Sequence, residues 1–99
     1  MSSPDLLRGV AGPAGPDVSM EEIDGRLAIY VPKTEQILCL NDSATSVWRL
    51  CTGRRTGREV VVAVAAQYEM DVDAVEPEVR SLLRELLVAG ALSMVDPEA

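Results

Sequence analysis

The chain has 99 residues, 47% of them apolar, which is enough for one hydrophobic core but not for a second domain or a deep enclosed catalytic cavity. Sixteen acidic and nine basic side chains give a formal net charge of -7, which repels a phosphate backbone and argues against nucleic acid as the main partner. There is no histidine for a His-ligated metal site, and no apolar run approaches the roughly 18 residues that span a bilayer.

A cytoplasmic protein without a cofactor is therefore expected. The two cysteines, Cys39 and Cys51, have no CxxC spacing and no second pair with which to form a Cys-rich zinc site. The sequence favours free buried thiols that act as small hydrophobic side chains in a reducing compartment. A disulfide or a redox role is the alternative.

Residues 1–16 are predicted to form a mobile tail, because glycine and proline interrupt them repeatedly. Arg8 is the only basic side chain in this segment, and the apolar stretch is too short for a secretory signal. The folded domain is expected over residues 17–95, with residues 96–99 as a C-terminal tail.

Three strands are predicted after this tail. Asp24-Gly25 favours a two-residue hairpin between a strand of mixed polarity at residues 18–23 and a second strand. The apolar positions of the second strand alternate at Leu27, Ile29 and Val31. Pro32 ends that strand because it cannot donate to a ladder, and residues 36–40 form a short apolar third strand.

A first helix follows, capped by Asn41 or Asp42 and ended by Gly53. Its apolar face has helical spacing at Ala44, Val47, Trp48 and Cys51. We expect Trp48 to anchor the core together with Val47 and Tyr68 rather than to bind a ligand.

Thr56 and Glu59 have the spacing of a capping box and predict the start of a second helix. The valine-rich run at residues 60–66 could also form a strand, but the box, the alanines and the helical spacing favour a helix. The spaced positions are Val61, Val64, Ala65 and Tyr68.

A turn at residues 70–72 leads into a third helix, in which Asp73 and Glu76 could form a second capping box. Pro77 would remove an early helical hydrogen bond, so the helix is predicted to start properly only at Pro77. Gly90 caps its end, and a short closing segment follows at residues 91–95. The apolar stripe of this helix comprises Val75, Val79, Leu82, Leu83, Leu86 and Leu87. The predicted fold class is α+β, with a three-stranded antiparallel sheet followed by three helices (βββααα).

Several of these positions together carry a family resemblance. The run at residues 40–48 reads Leu-Asn-x-x-Ala-x-x-Val-Trp, with Gly53 and Thr56 after it. Further positions are Tyr68, Val72, Val79, Leu82, Leu83, Leu86 and Gly90. Over roughly residues 18–95 the chain resembles the PqqD family, also called the RiPP precursor peptide recognition element, where RiPP denotes a ribosomally made and modified peptide.

The resemblance implies a winged helix-turn-helix fold and a non-catalytic peptide chaperone. Such a protein binds the leader of a ribosomally made precursor peptide and presents it to a modifying enzyme, such as a radical SAM protein, or to a leader peptidase. The leader is added as a strand to the edge of the third strand, over a groove floored by the third helix, which here runs from about Val75 to Leu87. The expected peptide-binding residues are Glu35, Gln36, Ile37, Leu38, Cys39, Leu40, Val79, Arg80, Leu83, Arg84 and Leu87.

Physical arguments support a peptide site at this strand. Between Gln36 and Leu40 there is none of the lysine, proline or bulge devices that usually blunt an open strand edge. The alternative is that the protein's own tail or a homodimer partner covers the edge. On the third helix, Leu82 and Leu86 are expected to face the core, while Leu83 and Leu87 reach toward the groove.

The charged residues of the third helix have two possible interpretations. Arg80 and Arg84 could meet acidic leader residues, or they could pair on their own surface with Glu76 and Glu85, which is the more conservative expectation.

The acidic balance, the proline-containing tail and Pro77 depart from the family pattern, and the pathway stays open among quinone-cofactor, lasso peptide and sactipeptide routes. A winged-helix DNA-binding regulator is the alternative function, suggested by the cluster Arg54, Arg55 and Arg58. An enzyme is the weakest hypothesis, because no nucleophile-base pair, phosphate loop or metal-ligand spacing can be named.

Overall fold

The computed structural model of the protein describes residues 6–95 and contains three helices and six strands. After a 3₁₀ turn at Leu6–Arg8, the strands are β1 (Val10–Pro13), β2 (Ser19–Ile23), β3 (Arg26–Val31), β4 (Gln36–Leu40), β5 (Arg55–Thr56) and β6 (Leu92–Val95). The helices are α1 (Asp42–Leu50), α2 (Gly57–Gln67) and α3 (Val72–Val88). The α+β class with three helices is confirmed. The simple βββααα order is wrong, because the strands form two antiparallel sheets.

The first sheet has the order β2-β3-β4 and contains the three strands predicted from the sequence. Asp24 and Gly25 connect β2 to β3 with φ angles of 53° and 78°. Two consecutive positive φ angles are what a type I′ turn requires, and glycine tolerates this conformation without strain. The hairpin then brings Ile23 opposite Arg26 and sets the register of the whole pair.

The second sheet, in the order β5-β1-β6, corrects the prediction of a mobile tail over residues 1–16. Residues 6–13 form the 3₁₀ turn and the central strand of this sheet, and Leu7 and Ala11 are fully buried. The turn packs so closely on α2 that a Cβ at Gly57 would lie 2.8 Å from the Cα of Leu7. Both partners of β1 lie far away in the chain, so the local glycine and proline content gave no sign of it. Residues 1–5 and 96–99 lie outside the described residues.

The first two helices begin where their caps predict. The Asn41 side chain accepts a hydrogen bond from the Ala44 N–H at 2.8 Å, which identifies Asn41 and not Asp42 as the cap of α1. Thr56 and Glu59 form the reciprocal capping box of α2, at 3.2 and 2.9 Å. The valine-rich run is therefore a helix, as predicted.

The third helix begins earlier than predicted. It starts at Val72 with Asp71 as the N-cap residue, and Pro77 lies inside it. The second capping box is absent, because Asp71 makes no side-chain cap bond and Asp73 is already helical. The proline removes the N–H that would bond the Asp73 carbonyl. Both residues are exposed, so water can reach this part of the backbone, and the loss of one bond does not stop the helix.

The core lies between the three helices, one face of the β2-β3-β4 sheet, and Leu7, Ala11 and Leu92 of the 3₁₀ turn and the second sheet. Its largest fully buried side chains are Leu7, Ile29, Leu83, Val31, Val47, Val60, Val61 and Val79. Trp48 belongs to this core, as predicted, and its indole N–H points to the sulfur of Met20. Tyr68 does not, because it is 44% exposed at the end of α2. No helix between residues 6 and 95 has the length and apolar character needed to cross a bilayer.

Two variants of α3 test which side of the helix the core uses. Leu83→Ala is expected to lower the free energy of unfolding by roughly 2–5 kcal/mol, because it leaves a cavity at a fully buried position. Val88→Ala, on the same helix but 84% exposed, is expected to change it by less than about 0.5 kcal/mol. Urea unfolding followed by circular dichroism measures both values. Equal losses in the two variants would contradict the orientation of α3 described above.

Candidate functional site

Strand β4 lies at the edge of its sheet, with β3 as its one partner among the described strands. Its other side therefore presents a row of backbone N–H and C=O groups without a ladder partner. The sheet has a second edge at β2, but that strand carries Glu21 and Glu22, whereas Gln36–Leu40 has no charged residue. Charges on an edge discourage pairing with a further strand, so β4 is the more receptive of the two edges.

The two faces of β4 differ in burial. Leu38 pairs with Ile29 and Leu40 with Leu27, so these two leucines lie on the side of the sheet that faces the core. Leu40 is buried and Leu38 is partly buried, whereas Ile37 is 65% exposed on the opposite face. Leu38 is thus the apolar side chain of β4 that remains within reach of a bound molecule on the helix side.

A groove runs between β4 and the C-terminal half of α3, with a volume of about 460 Å³. Its walls are Gln36 and Leu38 from the strand, and Ser81, Arg84, Glu85, Val88 and Ala89 from the helix and its C-cap. Val88 is 84% exposed, an unusual position for a large aliphatic side chain. Together with Leu38 it gives the groove an apolar surface between polar residues, the kind of lining that receives side chains of a bound peptide.

The structure places part of the predicted site in this groove. Gln36, Leu38 and Arg84 line it, and the exposed Ile37 and Cys39 lie on the outer face of the same strand. Glu35 is not part of the strand, because it lies in the preceding turn at a φ of 54°. Ile37, Cys39 and Leu40 can contribute backbone groups but not groove side chains.

The α3 residues predicted for the groove need correction. Val79 and Leu83 are 1% and 0% exposed and belong to the core. Leu87 is partly buried and, like Arg80, does not line the groove. Arg80 lies on another side of the helix, because it is five residues before the groove residue Glu85 and the two are therefore about 140° apart around the helix. The six-residue apolar stripe was too wide for the sequence to show which flank faces β4.

Four groove residues were missed by the sequence analysis: Ser81, Glu85, Val88 and Ala89. Only Val88 gave a usable signal. It is a β-branched residue outside the apolar stripe, near the end of a helix whose core positions are already filled by leucines and valines. Such a residue is either a random surface position or part of a contact surface.

Charge in the groove comes from Arg84 and Glu85. Arg80 is engaged on its own surface, where its Nε donates to Glu76 at 3.3 Å, and Arg58 donates to the same carboxylate at 2.5 Å. The hydrogen bond from Arg58 is the main reason that the pKa of Glu76 lies below its usual value. Arg84 has no ion-pair partner among residues 6–95, so it can meet an acidic group of a ligand.

The chain belongs to the PqqD family, because the model of the family described as coenzyme PQQ synthesis protein D matches residues 26–92. A solved structure of TbiB1 in complex with the TbiA(beta) leader peptide is similar in fold, with a TM-score of 0.70 and 25% identity over 80% of this chain and 92% of that chain. The solution structure of the PqqD part of Methylobacterium extorquens PqqCD, described as a stand-alone RiPP recognition element, has a TM-score of 0.68. It shares 20% identity, over 85% of this chain and 88% of that one. No curated protein matches the chain.

The two cysteines provide a test of the orientation of β4 and α1. Both are free, but Cys39 is exposed, which corrects the expectation of two buried thiols. Cys51 is buried, and burial raises its pKa from 9.0 to about 12.

At pH 8 we expect iodoacetamide to label one thiol of the native protein, Cys39, and to label Cys51 only after unfolding in guanidinium. Intact-mass spectrometry followed by peptide mapping measures this, and rapid native labelling of Cys51 would contradict the described core.

Proposed function

We propose that this protein binds the leader segment of a ribosomally made precursor peptide as an added strand on β4 and presents it to a modifying enzyme. The observation that carries the proposal is the open, uncharged edge of β4 beside an apolar groove, in a chain of the PqqD family. In strand addition, the main-chain hydrogen bonds supply affinity, and the pockets for alternate side chains supply specificity.

The number of leader side chains that the groove can bury gives an estimate of the binding affinity. Two or three leader side chains packing against Leu38 and Val88 would each contribute about 1.5–3 kcal/mol. Ordering a flexible leader costs roughly 2–5 kcal/mol of this gain. Including the main-chain bonds, we expect a Kd near micromolar, about -8 kcal/mol.

Charge would then select among leaders. Arg84 favours an acidic leader residue at its end of the groove, and Glu85 disfavours a second acidic residue next to it. Because such pairs lie in contact with solvent, each contributes little affinity and acts mainly through the choice of partner. The acidic net charge of the protein as a whole makes a strongly acidic leader a poor ligand.

The chemistry is assigned to a partner enzyme rather than to this chain. The proposed partners are a radical SAM protein or another modifying enzyme, or a leader peptidase, and the membership of the PqqD family supports this proposal.

A winged-helix DNA-binding regulator fits the structure less well. The helix that would enter the major groove in such a protein is α3, and its exposed side carries three carboxylates against one arginine, Arg84. The carboxylates belong to Asp73, Glu78 and Glu85. Of the arginine cluster at the start of α2, Arg58 binds Glu76 and Arg55 donates to the carbonyl of Leu50. We expect no retention of duplex DNA at about 150 mM salt.

An amide NMR titration tests the proposed function, using a synthetic leader of a short ribosomally made precursor peptide. Shifts are expected at residues 36–40 and 81–89. The variant Val88→Glu is expected to weaken binding roughly tenfold or more, because it places a charge where an apolar leader side chain would pack. Val62→Glu serves as the matched control, since Val62 is 49% exposed on α2 and does not line the groove.

The two variants together make the result decisive. Equal affinity of Val88→Glu and the unchanged protein, with both folded by circular dichroism, would exclude the groove between β4 and α3. Equal losses in Val88→Glu and Val62→Glu would indicate a general effect of added negative charge instead of a contact. Binding of duplex DNA in place of the leader would favour the regulator.

A further inference from the structure

A second cavity lies at the junction of α1, α2 and α3, outside the groove beside β4. Its volume is about 110 Å³. Its lining is Ser43, Val47, Val64, Tyr68, Met70, Val75, Glu78, Val79 and Leu82. An apolar cavity of about 150 Å³ takes up a benzene molecule, so this cavity has the size for one aliphatic side chain.

The cavity has a rigid apolar floor. Val47, Val64, Val75 and Val79 are all buried members of the core, so their positions are fixed by packing on every other side. The rim, in contrast, is open. Tyr68 and Met70 are 44% and 53% exposed, although both are large apolar side chains that would gain from being covered.

One wall of the cavity is held in place before any ligand arrives. The hydroxyl of Tyr68 shares a hydrogen bond of 2.9 Å with Ser46 on α1, so the ring is tied across the gap between α1 and α2. A side chain entering the cavity therefore meets a formed pocket and loses little affinity to ordering of the protein. The cavity also contains one carboxylate, Glu78, which disfavours an acidic occupant.

The cavity continues the groove along α3. Glu78 and Leu82 line the cavity, while Glu85 and Ala89 line the groove. These four residues are spaced i, i+4, i+7 and i+11, so they form one line along a single side of the helix. The groove and the cavity therefore adjoin along this row of α3, and their remaining α3 lining residues lie on opposite flanks of the row.

The wall opposite α3 also passes from the groove to the cavity, along β4 and then α1. Gln36 and Leu38 of β4 line the groove, and Ser43 and Val47 of α1, which follows β4 directly, line the cavity. A peptide paired with β4 advances about 3.3 Å per residue. Ser43, a lining residue of the cavity, lies three residues after Leu40, so a peptide that continues a few residues past the end of β4 comes within reach of the cavity.

We infer that this cavity receives one aliphatic side chain of the bound leader, of valine to leucine size, located just outside the segment that pairs with β4. The inference rests on the proposed leader binding and adds a second specificity pocket to it. A leader would then be recognised by two elements at a fixed separation, the strand-forming segment and one aliphatic residue beyond it. Leaders that carry an acidic residue at that position are rejected by Glu78.

Methyl NMR of protein labelled at isoleucine, leucine and valine separates this inference from the proposed function. Titration with the synthetic leader that binds in the amide titration is expected to shift Leu38 and Val88 in the groove, and Val64 and Leu82 in the cavity, with one common Kd. Shifts confined to Leu38 and Val88 would overturn the second pocket and leave leader binding intact. No shifts at either place would overturn both. Shifts of the cavity methyls on raising the protein concentration without leader would assign the cavity to a second copy of the chain and overturn the inference.

A variant that fills the cavity tests the same inference by mutation. Ser43→Leu places an aliphatic side chain in the lining of the cavity and is expected to weaken leader binding about tenfold. Thr45→Leu makes a similar change in the same helix at a residue outside the cavity lining, and is expected to change binding less than about twofold. Equal affinities of the two variants, both folded by circular dichroism, would overturn the inference.

Alanine substitution along the leader identifies the occupant. Alanine substitution of one aliphatic leader residue beyond the pairing segment is expected to weaken binding to the unchanged protein roughly tenfold. The same substitution is expected to weaken binding to the Ser43→Leu variant less than about twofold. This non-additivity is the sign of a direct contact. A leader in which every alanine substitution costs the same in both proteins would show that no leader side chain enters the cavity.

Discussion

The burial of Leu83 determines how α3 is rotated, and this rotation determines what the groove is made of. Leu83 and Leu86 are almost completely buried, so α3 cannot turn without exposing one of them at a cost of roughly 1.5–3 kcal/mol each. With this side fixed to the core, the line from Glu78 to Ala89 faces β4 and α1. Core packing therefore decides which α3 side chains form the groove wall, the apolar Val88 together with Arg84 and Glu85. Because these side chains lie outside the core, they can vary without disturbing the fold.

Local signals in the sequence were sufficient for most of the elements. The hairpin at Asp24-Gly25, the Asn41 cap and the Thr56–Glu59 capping box each depend on residues that are neighbours in the chain, so their geometry follows from short-range sterics and hydrogen bonding. The position of β4 at a sheet edge also followed, because three consecutive strands joined by short turns place the third at the outside.

The remaining features depend on contacts between distant parts of the chain. Strand β1 is stable because β5 and β6 flank it, and its sequence Val-Ala-Gly-Pro has no strand signal of its own. The flank of α3 that faces β4 could not be predicted from a stripe that covers both Leu82 and Leu87. The start of α3 was placed too late, since Pro77 was treated as a boundary although an exposed helix turn tolerates the loss of one hydrogen bond.

The pairing of β1 with β6 has a mechanical consequence. Val10 lies directly opposite Val95, so the chain enters and leaves the fold at neighbouring points. A domain with this geometry can be inserted into a surface loop of a larger host without separating the ends of that loop. Tension applied at the two ends first loads the buried Leu7 in the turn before β1, and then the Val10–Val95 pair. The ladder opens one bond at a time from that pair instead of shearing all its bonds together. Pulling on both ends would therefore release Leu7 and then β1, with Ala11, before the sheet that contains β4.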